Sequence, residues 1–118
     1  NAQGRLSLNF LFKSGSSELD NKSVKDLERL VNFLYRSKYL DYKVVLIGYS
    51  DNIGDYYSNI QLSENRALVV KDRMIDLFKA LDGRVEVLGM GPEIPIATNE
   101  TLEGREKNRR VEVYIVKK

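Results

Sequence analysis

Few residue types in this chain can do chemistry. It has no Cys and no His, which removes thiol nucleophiles, disulfides, Ser-His-Asp triads, haem ligation and zinc sites built on nitrogen or sulfur. Carboxylates, guanidinium groups, lysines and tyrosines remain. Among these, Asp51 and Arg66 stand out by placement. Asp51 follows the apolar run Lys43 to Tyr49 (KVVLIGY) and opens the turn Asp51, Asn52, Ile53, Gly54, while Arg66 lies fifteen residues further on in a helical pattern. A carboxylate and a guanidinium flanking a Gly-containing turn can hold a zwitterion. Its ammonium donates to Asp51, and Arg66 grips its carboxylate with two parallel N–H bonds, a fork that lysine cannot supply. A plainer account also fits, in which Asp51 caps a turn and Arg66 makes a surface ion pair worth roughly 0–1 kcal/mol. Spacing alone leaves both open.

Other clusters carry less. Asp51 and Asp55 could be paired as in a glycosidase, but no apolar pocket is built around either to raise a carboxyl pKa. Gly89-Met90-Gly91 leads to Pro92 rather than into a helix, so it is loop geometry and not a dinucleotide fingerprint. Net charge is +2, and the basic excess sits in residues 103–118, where Arg105, Lys107, Arg109 and Arg110 interleave with Glu103, Glu106 and Glu112. That interleaving, with no aromatic platform, argues against nucleic acid as a partner. Tyr56 and Tyr57 either wall a pocket or staple a helix start. Asn99-Glu100-Thr101 matches a glycosylation triplet of a kind that is frequent by chance.

The elements that must position these groups follow from periodicity. Leu6, Leu8, Phe10 and Phe12 alternate with Ser7 and Asn9, the period of a half-buried strand, and a turn follows at Ser14 to Ser17. From Asp20 to about Lys38, Val24, Leu27, Val31 and Leu34 recur at helical intervals, with Lys25, Asp26, Glu28 and Arg29 on the other face. KVVLIGY reads as a central strand buried on both faces. A second helix begins between Asp55 and Asn59 and carries Ile60, Ser63, Ala67, Val70, Met74, Leu77 and Leu81, with the small Ser63 and Ala67 marking close packing and Asp82-Gly83 stopping it. Arg84 to Met90 is a strand, the Gly91-Pro92 and Pro95 region is loop, and Val111, Val113 and Ile115 alternate in a last strand opened by Arg109 and Arg110. Two crossovers through helices favour parallel pairing of the strands they connect. The order β-α-β-α-β-β in 118 residues predicts one α/β (α+β) two-layer sandwich: a four-stranded mixed sheet with two main helices on one face. No apolar run approaches the roughly 20 residues that span a bilayer.

The motifs Gly48-Tyr49-Ser50-Asp51-x-x-Gly54 and Asn59-x-x-Leu62-Ser63-x-x-Arg66-Ala67-x-x-Val70 together resemble the signature of the OmpA-like peptidoglycan-binding domain. That family includes OmpA C-terminal regions, peptidoglycan-associated lipoproteins and MotB-type stator proteins. Phe12-x-x-Gly15-Ser16-Ser17-x-Leu19 is similar to the family's first strand and turn, and Gly89-x-Gly91, Pro95, Asn99-x-Thr101, Gly104-Arg105 and Asn108-Arg109-Arg110-Val111-Glu112 to its C-terminal third. The resemblance covers about residues 6–116 and departs from the pattern at Tyr49, often His, and at Lys13, often acidic.

The resemblance implies non-covalent binding of peptidoglycan through the diaminopimelate of its stem peptide, with no catalysis, no metal and no cofactor. By position Asp51 resembles the ammonium-binding Asp and Arg66 the carboxylate-binding Arg, and Asn59 matches the intervening Asn. One arginine of the Arg109/Arg110 pair lines the pocket, and Arg109 is favoured. At the Lys13 edge, backbone N–H groups are the contacts that the substitution leaves intact. The implied protein is a single OmpA-like domain over residues 1–118, excised from a longer periplasmic or envelope protein that it tethers to the wall without itself contacting a membrane. Homodimerisation stays open. The alternative is a docking or oligomerisation domain of the same fold. A wall hydrolase is a third class, and it would release soluble muropeptides.

Overall fold

A computed structural model describes residues 2–12, 16–17, 19, 21–36 and 42–117. Strand β1 (Ala2–Leu11) leads to helix α1 (Asn21–Arg36), then come β2 (Tyr42–Tyr49), α2 (Tyr56–Leu77), β3 (Val85–Gly91), α3 (Leu102–Asn108) and β4 (Arg110–Lys117). The described strands form a four-stranded mixed sheet ordered β1-β4-β2-β3. β2 and β3 pair parallel, as expected of strands joined through a helix, and β4 runs antiparallel to both β1 and β2. The other crossover departs from expectation. β1 and β2 point the same way, but β4 lies between them, because Val111, Val113 and Ile115 are all buried and fill the sheet centre.

One core lies between sheet and helices. Leu27, Leu30, Val31 and Leu34 of α1 and Ala67, Val70 and Met74 of α2 pack on Phe10, Val44, Leu46, Val85, Val111, Val113 and Ile115 of the strands. Because α1 and α2 both cover this face, β2 is not buried on both sides. Val44, Leu46 and Gly48 are buried, while Val45 and Ile47 on the other face are half-buried.

Helix α2 begins where Asp55, as its N-cap, accepts from the Ser58 N–H at 2.9 Å. Its small residues do mark a close approach: Ser63 and Ala67 have no exposure, and a Cβ on Gly48 would collide with the Ser63 carbonyl. The helix ends at Leu77, earlier than its apolar spacing suggests. Phe78 is extended, and Leu81 reaches the core from a separate 3-10 turn, Lys79–Leu81. Helix α3 interrupts what reads as continuous loop. Thr101 caps it, accepting from the Gly104 N–H at 3.0 Å, and its seven residues bury only Gly104 and Asn108, too few to print an apolar stripe. The expected turn residues Ser14 and Gly15, together with Lys13 and Asp20, lie outside the described residues.

Candidate functional site

The carboxyl ends of β2 and β3 are neighbours, since Tyr49 pairs with Gly91 and the Ser50 N–H donates to the Gly91 carbonyl at 2.8 Å. β4 runs the opposite way, so its beginning, Arg109-Arg110, arrives at the same end of the sheet. The end of β1 is tied there too, by the Phe12 N–H to the Arg109 carbonyl at 3.3 Å.

On this rim Asp51 is fixed from two sides. Its Oδ1 accepts from the Ile53 N–H at 3.0 Å, closing the turn on itself, and its Oδ2 accepts from Arg109 Nη1 at 2.9 Å. This ion pair is largely enclosed, with the two side chains 9% and 14% exposed. Arg109 Nε donates to the Phe12 carbonyl at 3.2 Å, so one guanidinium joins the end of β1 to the turn after β2. Asn59 acts at one remove. Its Nδ2 donates to the Ile53 carbonyl at 2.8 Å, holding the 51–54 turn against the first turn of α2.

Arg66 lies deeper and has no exposure. Its Nε donates to the Ser16 carbonyl at 2.8 Å and its Nη1 to the Tyr49 carbonyl at 3.2 Å, while its guanidinium carbon sits 5.4 Å from the Phe12 ring centre. Burial, and secondly repulsion from Arg109, pull its pKa from 12.5 down to about 10, with attraction to Asp51 opposing them. It is therefore charged at neutral pH. Two guanidinium groups thus share the field of one carboxylate.

Of the residues singled out by sequence, Asp51 and Arg109 are in direct contact, Asn59 braces their turn, and Arg66 sits beneath, coupled through space and through the Tyr49 carbonyl. Arg66 is enclosed rather than projecting across an open cleft. Arg109 is the C-cap of α3, so strand alternation begins only at Arg110. Arg110 serves elsewhere: it is 1% exposed, pairs with Glu112 at 2.8 Å and lies 3.8 Å from the Tyr49 ring centre. Tyr56 and Tyr57 are exposed and pack edge-on against each other. The carbonyls of Ser16 and Tyr49 and the Ser50–Gly91 tie carried no separate signal in the sequence, because backbone groups do not depend on residue type. A cavity of about 240 Å³ between α1 and α2, lined in part by Val24, Leu27 and Leu77, lies outside this site. Among the described residues no cluster of carboxylates could hold a metal ion.

A helix-backed mixed sheet with a charged turn-and-arginine site at one end defines the class, and sequence comparison then names the family. The chain belongs to the OmpA family, whose model matches residues 11–109. It is 33% identical over 111 residues to outer membrane porin F of Pseudomonas aeruginosa, covering 94% of this chain and 31% of the porin. It is 44% identical over 75 residues to the peptidoglycan-binding protein ArfA of Mycobacterium tuberculosis, covering 64% of this chain and 23% of ArfA. The solved cell wall anchor of the type VI secretion system from Pseudomonas aeruginosa superposes with a TM-score of 0.72 at 33% identity, over 92% of this chain and 76% of that one. The chain thus spans a third or less of these two curated relatives. These relatives are structural or binding proteins of the cell envelope, and the family includes wall-anchoring members. No described helix is long and apolar enough to cross a membrane.

Proposed function

We propose that this chain binds peptidoglycan non-covalently through the diaminopimelate of the stem peptide, as one wall-anchoring module of a larger protein in the periplasm. The observation that carries the reading is the charge arrangement at the rim: one enclosed carboxylate, Asp51, with two guanidinium groups in its field. Such a cluster is one negative charge short. An amino-acid centre supplies it, bringing a carboxylate to the arginines and an ammonium to Asp51.

The donor inventory supports this. A carboxylate has about four acceptor positions, and Asp51 commits two. Arg109 commits Nε and one Nη1–H, leaving Nη2 free among the described residues for a ligand carboxylate. Arg66 contributes positive potential from below, and Asn59 keeps the turn in place. ArfA is named for peptidoglycan binding and the secretion-system relative for wall anchoring, which favours the same ligand class here.

The test is calorimetric titration with a tripeptide stem ending in diaminopimelate. Charge-assisted hydrogen bonds contribute about 1.5–3 kcal/mol each, so Asp51→Ala and Arg109→Ala should each weaken binding by roughly ten- to a hundredfold. Parent-like affinity in both variants refutes the site. Failure of the parent chain to sediment with purified sacculi would favour the docking-domain alternative.

A further inference from the structure

One residue near this rim is held against its own preference. Ile94 has φ +52°, the one non-glycine residue with positive φ among the described residues. A β-branched side chain is crowded there, and the following Pro95 narrows the choice further. Burial does not repay the strain, because the Ile94 side chain is 64% exposed.

The restraint is built from buried, fully engaged groups. Arg110 Nη2 donates to the Ile94 carbonyl at 3.1 Å, and that guanidinium is fixed by Glu112 and stacked on Tyr49. Two residues on, Asn108 Oδ1 accepts from the N–H groups of Ile96 and Ala97 at 2.9 and 3.0 Å, while its Nδ2 donates to the Ala97 carbonyl at 2.9 Å. Ile96 is also half-exposed. The loop starts at Gly91, whose carbonyl holds Ser50, next to Asp51, and Arg110 adjoins Arg109. A rigid loop thus presents two branched apolar side chains to solvent at the edge of a charged site. Strain that persists without packing gain is typical of ligand-contacting positions.

We infer that Ile94, with Ile96 beside it, forms an apolar subsite for the short alkyl side chain of the stem residue that follows the two-headed amino acid. This rests on the peptidoglycan reading above, and the subsite is continuous with the charged site. Arg110 and Asn108 act through the loop as positioning residues and touch no ligand.

The test compares free diaminopimelate, the tripeptide stem and the tetrapeptide stem that adds one alanine, titrated into the parent chain, Ile94→Gly and Ile94→Asn. Gly and Asn both accept positive φ, so these variants keep the loop. Burying one methyl group should make the parent bind the tetrapeptide about three- to tenfold more tightly than the tripeptide. Both variants should lose that gain, keep tripeptide affinity within about twofold, and unfold at the same or a higher temperature. No gain in the parent, a gain retained in the variants, or equal losses for both peptides overturns the subsite while leaving the charged site standing. If the parent binds neither diaminopimelate nor tripeptide, the charged-site reading falls and takes the subsite with it.

Discussion

Arg66 is the residue on which local order at the site depends. It is fully buried, carries charge, and donates to the carbonyls of Ser16 and Tyr49, so it links the segment after β1 to the end of β2. The planar fork reaches both carbonyls at once, whereas a lysine ammonium is a point charge on a flexible stem. Arg66→Lys therefore leaves at least one buried carbonyl unpaired around a poorly satisfied buried cation. The expected loss is about 2–4 kcal/mol of unfolding free energy in urea titration, and a variant as stable as the parent would show that the fork is dispensable. The sequence points to Asp51 and Arg66 because they flank one turn and lie within a single strand-turn-helix unit. It gives Arg109 more weakly, because the Asp51 contact closes across 58 residues and depends on β4 entering the sheet antiparallel beside β2. It also leaves the depth of Arg66 hidden, since burial of a charged group is decided by carbonyls that any residue could supply.

At the scale of elements, periodicity reveals a structure where one face is long and buried, and fails where it is short. The α1 stripe and the β4 alternation each print several core residues in register, and both elements form as expected. α3 has seven residues, and its identity rests on the Thr101 cap and on Asn108 tying down the preceding loop. Leu81 falls at a helical interval yet arrives from a 3-10 turn, because Phe78 has already left the helix. The placement of α2 on the sheet has a sharper determinant. Gly48 on β2 faces the Ser63 backbone with no room for a Cβ, and Ser63 in turn accepts from the Gly91 N–H at 2.8 Å. Gly48→Ala must push α2 away from the strand whose end carries Asp51. We expect destabilisation of about 3 kcal/mol or more by chemical denaturation, together with weaker stem binding in the fraction that folds. An alanine variant with parent stability would mean that the helix can shift freely.

For the whole molecule, the site is where the ends of β1, β2, β3 and β4 are joined by side chains: Arg109 to Phe12 and Asp51, Arg66 to Ser16 and Tyr49, Arg110 to Ile94. A ligand engaging Asp51 and Arg109 would bridge groups on separate segments, so binding should oppose unfolding of the chain as a unit. At a free ligand concentration one hundred times Kd, the linkage is worth about 2.7 kcal/mol, which for a domain of this size raises the unfolding midpoint by on the order of ten degrees. The two-headed nature of the ligand gives the discriminating control. A lysine-type stem keeps the side-chain ammonium for Asp51 but lacks the carboxylate for the arginines, so at the same concentration it should raise the midpoint by only a small part of that amount. Differential scanning calorimetry with the two stems reads this directly. Equal shifts would show that the guanidinium groups serve the fold alone and that the charge imbalance at the rim does not select the wall amino acid.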